Sequence, residues 1–354
     1  MGITVSKRTK ISSSAFVVLA LILSGCASSN SDTSSSASGT DLVCANKKVT
    51  FVSTGKAGDK SVYDDMISNG LDASKAELGA DTQYVEALDP AVFETTLTNA
   101  ANAGANVIVS TFLDMSKPLA TVAAKFPDIH FIQIYGMPND PVIPNLRTVS
   151  FRYDEATYLS GILAGQVTSS NILGYEAGMF VPGINTDFNA FKSAATSVNP
   201  KIKVLPGDVG SFSDDGKAKE VVANLYAKGA DIVQGDGPVV GHIQAAIDKN
   251  KYAIMGAPGL VSMSPKNVMG VTFIYFGKAM FNAISDACGD GFTGGHIATG
   301  VADGTTGFYV PEEFLAAGDP AVVAKVEAAM DSVAKAEEDI KSGAIVVPVN
   351  NDNP

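Results

Sequence analysis

The chain holds three histidines, His130, His242 and His296, far apart in sequence and with no cysteine or carboxylate at metal-ligand spacing. Each is expected at a surface or a strand edge, not on a metal. Residues 53–61, STGKAGDKS, follow the apolar run Val49–Val52 with the glycines and lysines of a phosphate loop. Such a loop requires Gly-Lys-Ser or Gly-Lys-Thr. Here Asp59 separates Gly58 from Lys60, and Ala57 follows Gly55-Lys56. Gly235-Asp236-Gly237 with Gly241 has the wrong spacing for a dinucleotide loop. There is no G-x-S-x-G elbow and no H-E-x-x-H helix. The acid pairs Asp64-Asp65 and Asp214-Asp215 could act as acid and base, but carboxylates at helix starts also suit the positive end of the helix dipole. No nucleophile–base pair or metal set assembles from these residues, so neither catalysis nor a cofactor is expected.

The elements around these residues alternate. Apolar, β-branched runs predict strands at 49–54, 82–87, 106–112, 130–136 and 147–151, and a second series at 172–178, 202–209, 231–237, 252–257 and 268–274. Helical spacing lies between them, as in Ala91–Ala103 and Gly216–Lys228. The plan is α/β, built of βαβ units in doubly wound parallel sheets. The two series echo each other: 101–110 and 226–235 both end a helix at a glycine (Gly104, Gly229) and enter a strand. Two similar lobes would face one another across a cleft, with ligands beyond the carboxyl ends of the strands. Residues standing at such positions are Phe112, Tyr135, Asp236, Gly237 and Pro258, with Phe180 and Phe188 at the start of the second lobe. Asp319 and Pro320 open a last amphipathic helix that closes at Gly343, and 344–349 reads as a final strand.

With 354 residues the chain has room for two domains, and a formal charge of −12 argues against nucleic acid or an anionic membrane surface as partner. Lys7, Arg8 and Lys10 precede the unbroken apolar run Ala15–Leu23, which is too short to span a bilayer but suits a secretory signal. The run ends in Leu23-Ser24-Gly25-Cys26, similar to the lipobox of bacterial lipoproteins. Residues 1–25 are thus expected to be removed and Cys26 lipidated. Residues 26–41, small and polar, would be a tether. Cys44 and Cys288 then remain as an even pair, to be joined in an exported protein or kept as two buried thiols.

Four segments in register resemble the basic membrane protein family, also called PnrA-like, of lipoproteins that deliver ligands to ABC importers. Asp59-Lys60-Ser61 is similar to its D-K-S-F-N stretch, and Ala123–Phe131 to A-x-x-[YF]-P-D-x-x-F. Val149–Gly161 resembles F-R-x-x-E-x-x-Y-L-A-G, and Val209–Lys219 resembles G-S-[WF]-x-D-x-x-K-x-K. The resemblance runs from about Lys48 to Val349. It implies a type I periplasmic-binding fold whose lobes are joined by a three-crossover hinge. Lobe 1 would comprise 42–148 with 277–306, and lobe 2 would comprise 149–276 with 307–350.

By the same resemblance the protein captures a purine base or nucleoside-like planar solute by hinge closure and presents it to an ABC permease. It would act as a monomer at the outer face of the cytoplasmic membrane, held there by its lipid alone. Phe212 falls where the family stacks a ring, and Asp59, Lys60, Ser61 and Tyr63 fall on its first-lobe loop. Three family positions differ. Tyr135-Gly136 replaces an acid, Gly256–Val261 lacks the ribose carboxylates, and Phe273–Phe276, with Tyr275, lacks the ribose lysine. A ribose would lack acceptors there, which favours a purine base or another planar solute walled by aromatic rings. The alternatives are a non-purine solute, or a surface receptor or adhesin-like lipoprotein of the same fold without a transport role.

Overall fold

Aliphatic and β-branched runs, buried on both faces, build two sheets in the computed structural model, which describes residues 42–58 and 62–354. In chain order the strands are β1 (Lys48–Ser53), β2 (Asp81–Glu86), β3 (Val107–Thr111), β4 (His130–Ile134), β5 (Leu146–Phe151), β6 (Ile172–Ala177), β7 (Lys203–Asp208), β8 (Ile232–Asp236), β9 (Tyr252–Met255), β10 (Val268–Ile274), β11 (Gly295–Thr299) and β12 (Thr306–Tyr309). One sheet has the order β11-β5-β4-β3-β1-β2, with every pair parallel. The other has the order β12-β10-β9-β8-β6-β7, with only β12 antiparallel. The chain passes between them at Phe151–Tyr153, Ile274–Phe276 and Thr299–Thr306.

The period of two sorts each strand onto two helical layers. In the first sheet Phe51, Val109 and Ile132 face one core, while Val52, Ile108 and Phe131 face another. In the second, Leu173, Tyr175 and Ile232 pack against the helices Tyr153–Val167 and Pro182–Val198, and Val233 and Ala253 lie on the opposite layer. Gly104 and Gly229 both take positive φ at helix ends, 84° and 103°. That conformation is cheap for glycine alone.

All ten strands of the two expected series are present. β11 and β12 were not anticipated, because both are short sheet edges of mixed polarity. The expected strand at 344–349 does not form. Pro348 has no N–H to give a ladder, Ile345 N donates instead to the Asp339 carbonyl (2.9 Å), and the Val347 carbonyl accepts from Arg152 (2.8 Å). The last residues lie along the helix Pro182–Val198, where Asn185, Thr186 and Asn189 side chains donate to Asn350, Asn351, Asp352 and Asn353. Cys44 and Cys288 are joined in a disulfide. Cys26 and the segment around it lie outside the described residues. Among the described residues no helix is long and apolar enough to cross a membrane.

Candidate functional site

The carboxyl ends of the first-lobe strands carry a group of aromatic residues. Thr111 and Ile134 are partners across β3 and β4, so the residues that follow, Phe112 and Tyr135, emerge side by side. Both take φ of 61°, and Phe112 has ψ of 166°, a combination natural only to glycine. Such strain costs on the order of 1–3 kcal/mol and collects at functional sites. It persists here because the backbone is pinned. Phe112 N donates to the Ile134 carbonyl (2.9 Å), and Gln133 Nε2 donates to the Phe112 carbonyl (2.5 Å) and to Ser116 Oγ (2.8 Å).

The result is a cluster of rings. Phe112 lies 5.9 Å from Tyr63, 5.7 Å from Tyr135 and 6.2 Å from Phe276, and Phe151 and Phe276 are 5.0 Å apart. A cavity of about 430 Å³ opens among Thr54, Tyr63, Phe112, Leu113, Asp114 and Tyr135, a size that suits a small solute. Tyr63 and Thr54 share a hydroxyl hydrogen bond of 3.0 Å.

The second lobe presents acids at and near its strand ends. Asp236 ends β8 on the same face as Gln234, and Tyr175 on neighbouring β6 donates its hydroxyl to Asp236 Oδ2 (3.1 Å). Asp187, on the helix Pro182–Val198, lies close enough to Asp236 for the two carboxyls to act on each other. Burial raises both carboxyls. Asp236 is pushed up to about 6, and Asp187 is raised further by the Asp236 charge. The Tyr135 phenol is raised first by burial and then by the Asp236 and Asp187 charges. Tyr153 completes the second wall: its hydroxyl shares a 2.6 Å hydrogen bond with Thr272 Oγ1 and lies against Gly256, where a Cβ would come within 2.9 Å.

On the other face of the second sheet, His242 Nδ1 donates to Glu176 Oε2 at 3.2 Å, and both side chains are almost wholly buried. The expectation of a surface or strand-edge histidine is wrong for His242, since its helix, Val239–Lys249, turns it inward onto a glutamate on β6. Gly235 and Gly237 cover this pair. A Cβ on Gly237 would meet Glu176 Oε1 at 2.1 Å and one on Gly235 would meet His242 Nδ1 at 2.3 Å, so both positions exclude a side chain.

The residues expected from the sequence divide accordingly. Tyr63, Phe112 and Tyr135 stand together around the cavity, and Asp236 ends β8 with Gly237 next to it. Phe212 is half exposed on the rim of the second lobe, its ring against Gly178. Pro258 is exposed at the start of a short turn after β9. Tyr275 stacks on Phe273 at 4.2 Å, and its neighbour Phe276 joins the ring cluster instead. Phe188 is corrected: it is 1% exposed and packs edge-on against Tyr175 and Phe180 in the core. Asp59, Lys60 and Ser61 lie outside the described residues. Asp187 and Tyr153 were missed, although Asp187 sits one residue before Phe188.

Asp64, Asp65, Asp214 and Asp215 form no acid–base pair. They accept from Gly58 N, Gly277 N, Lys217 N and Gly241 N respectively. Among the described residues no group of three His, Cys, Asp or Glu side chains could hold a metal ion.

The acid pair gives a pH signature. An aspartate in the unfolded chain titrates near 3.9, so the raised folded values favour folding at low pH, and that contribution is lost as pH rises through about 6. Asp236→Asn removes the charge while its amide still accepts from Tyr175. Its melting temperature relative to the parent is expected to rise between pH 4.5 and 7.5 in scanning calorimetry. A difference that stays flat over this range would show that the pair does not titrate as described.

Two doubly wound lobes, a triple crossover and ring and acid walls at the strand ends define a type I periplasmic solute-binding fold. The chain belongs to the PnrA-like family of ABC transporter substrate-binding proteins, whose model matches residues 46–350; these are binding proteins, not enzymes. A purine-binding protein of Brucella abortus (strain 2308) is 29% identical over 172 residues, covering 49% of this chain and 48% of that protein. The nucleoside-binding protein BmpA of Lactococcus lactis subsp. cremoris is 24% identical over 212 residues, 60% of each chain. This chain thus spans about half the length of such curated relatives. Basic membrane protein A of Borreliella afzelii is 24% identical over 74% of this chain and 82% of its own. Among solved structures, an ABC transporter solute-binding protein of Aeropyrum pernix K1 superposes with a TM-score of 0.64 at 21% identity. It covers 86% of this chain and 94% of its own, a likeness of fold.

Proposed function

We propose that this protein is the lipid-anchored solute receptor of an ABC importer, and that it captures a small planar solute of the purine-base or nucleoside class between its lobes. One observation carries the reading: a strained ring pair, Phe112 and Tyr135, lines a cavity of about 430 Å³ at the strand ends. Stacked faces hold a flat heterocycle, and carboxyls accept from its N–H or from ribose hydroxyls. The acceptors that the sequence lacks at Gly256–Val261 are supplied in this reading by Asp187 and Asp236. Hinge closure would bury the solute and mark the loaded form for a permease. The names of the Brucella and Lactococcus relatives support the purine class. Lipidation at Cys26 would keep the receptor at the outer face of the membrane.

A thermal-shift screen of bases, nucleosides, sugars and amino acids is expected to single out one planar class, with isothermal titration giving one site per chain. Phe112→Ala is expected to weaken that ligand about tenfold, roughly 1.4 kcal/mol, with little change in melting temperature. Silence across the whole panel would sink the reading. Labelled palmitate should enter the parent chain and be lost in Cys26→Ala.

A further inference from the structure

We infer that Gln133 is a positioning residue of the ring cavity. Its buried amide holds the Phe112 backbone in a conformation natural to glycine, and so sets one of the rings that line the cavity. This rests on the cavity being the solute site, and it adds a residue that lies beneath the lining.

Gln133 stands on β4 two residues before Tyr135 and is fully buried. It shares a sheet face with Phe131, toward the core that holds Leu119 and Val122 of the helix Ser116–Lys125. A side-chain amide has two hydrogens to give, and here both are used. Nε2 donates to the Phe112 carbonyl (2.5 Å) and to Ser116 Oγ (2.8 Å) at the start of that helix. The same carbonyl accepts from Met115 N at a longer 3.3 Å. Phe112 N donates to the Ile134 carbonyl (2.9 Å), so both backbone groups of Phe112 are tied to β4, one to its main chain and one to its side chain. Gly136 leaves the amide its room: a Cβ there would come within 2.9 Å of Gln133 Cδ and Oε1.

Stability alone does not explain an amide at this place. Ser110 and Thr148 flank Gln133 on the neighbouring strands. Ser110 Oγ donates to the Val52 carbonyl (2.8 Å), and Thr148 Oγ1 is bonded to His296 Nδ1 (2.9 Å). Gln133 Oε1 is left buried without a partner among the described residues, a penalty that an apolar side chain would not carry. Methionine has nearly the same shape, with neither the donor nor the orphaned oxygen. A polar group that weakens the fold while pinning a strained backbone is what a site built for geometry requires.

Glycine against alanine at position 112 reads this hold without any solute. Both delete the ring, and they differ in the backbone that they accept. In the parent, Phe112→Gly is expected to melt about 3 °C above Phe112→Ala, the reverse of the order at an ordinary backbone position. With Gln133→Met also present the difference should fall below about 1 °C, because the backbone is free to relax. Gln133→Met alone is expected to melt within about 2 °C of the parent. Isothermal titration with adenine and adenosine should then show the tighter of the two weakened about fivefold or more. A residue that served the fold alone would lower the melting temperature and leave both the affinity and the glycine preference in place. Alanine as stable as glycine at 112 in the parent, a glycine preference that survives Gln133→Met, or an unchanged purine affinity overturns the inference. So does a Gln133→Met chain that fails to fold, since the amide would then be a requirement of the core. If the glycine preference appears and vanishes as stated while neither purine binds the parent, the hold on Phe112 stands and the purine reading falls.

Discussion

Replacing Cys44 and Cys288 together by alanine is expected to lower folding stability by about 3–5 kcal/mol. The two cysteines are 244 residues apart, and a cross-link over so long a loop removes much of the unfolded chain's freedom. Both are buried, Cys44 completely, in the core that also holds Val49, Met66, Leu71 and Ile284. Alanine at both sites therefore adds two small cavities to the lost cross-link. The bond ties the first described turn of the chain to the end of the helix Phe276–Cys288, which begins with the ring of the cleft cluster. Denaturant unfolding should move to lower midpoint in the double variant and, by a similar amount, in the reduced parent. A loss below about 1 kcal/mol in both would show that packing alone holds this end of the lobe. Solute affinity should change little, since the bond lies at the far end of that helix from Phe276.

Strand ends were legible in the sequence because apolar runs without alternation mark parallel strands, and ligands gather where such strands finish. Phe112, Tyr135 and Asp236 follow from that rule. The φ of Phe112 and Tyr135 does not, because nothing in a single sequence announces an aromatic residue in a glycine conformation. Asp187 was hidden by its neighbour. Ile184, Phe188, Phe191 and Ala195 recur at helical spacing and form the stripe that meets the core. The residue one step before Phe188 then turns about 100° away, toward Asp236. The helical period of that segment thus points to the acid and away from the phenylalanine. His242 needed a partner 66 residues distant, Glu176, before its burial made sense. β11 and β12 are short strands at sheet edges, and such segments have little apolar signal to read.

Arg152→Ala is expected to cost about 3 kcal/mol of stability, in the range for breaking a buried ion pair, and to loosen the hinge. The guanidinium donates through Nε to Asp154 Oδ1 (2.9 Å) and through Nη2 to both Asp154 Oδ2 (2.7 Å) and the Val347 carbonyl (2.8 Å). Its backbone N donates to the Thr299 carbonyl, and Thr306 Oγ1 donates to its carbonyl. Glu155 Oε2 accepts from Val301 N at 2.9 Å. One side chain and its neighbour thus join the first crossover, the third crossover and the C-terminal segment. Removing the guanidinium leaves Asp154 and Glu155 facing each other with no cation between them. The Glu155 carboxyl, which burial raises and Arg152 lowers, would then titrate at higher pH than in the parent, so the stability deficit should be larger at pH 7.5 than at pH 4.5. Arg152→Lys should recover only part of it, because a lysine keeps the charge and loses the fork. The effect should reach the cleft as well. Thr157 Oγ1, one turn along the same helix, donates to the Asp187 carbonyl (2.9 Å), so a shift of the hinge end of that helix moves one of the acid pair. Urea unfolding at the two pH values measures the first effect, and solute titration of the folded variant measures the second. A variant that binds as the parent does while losing the expected stability would confine Arg152 to the hinge.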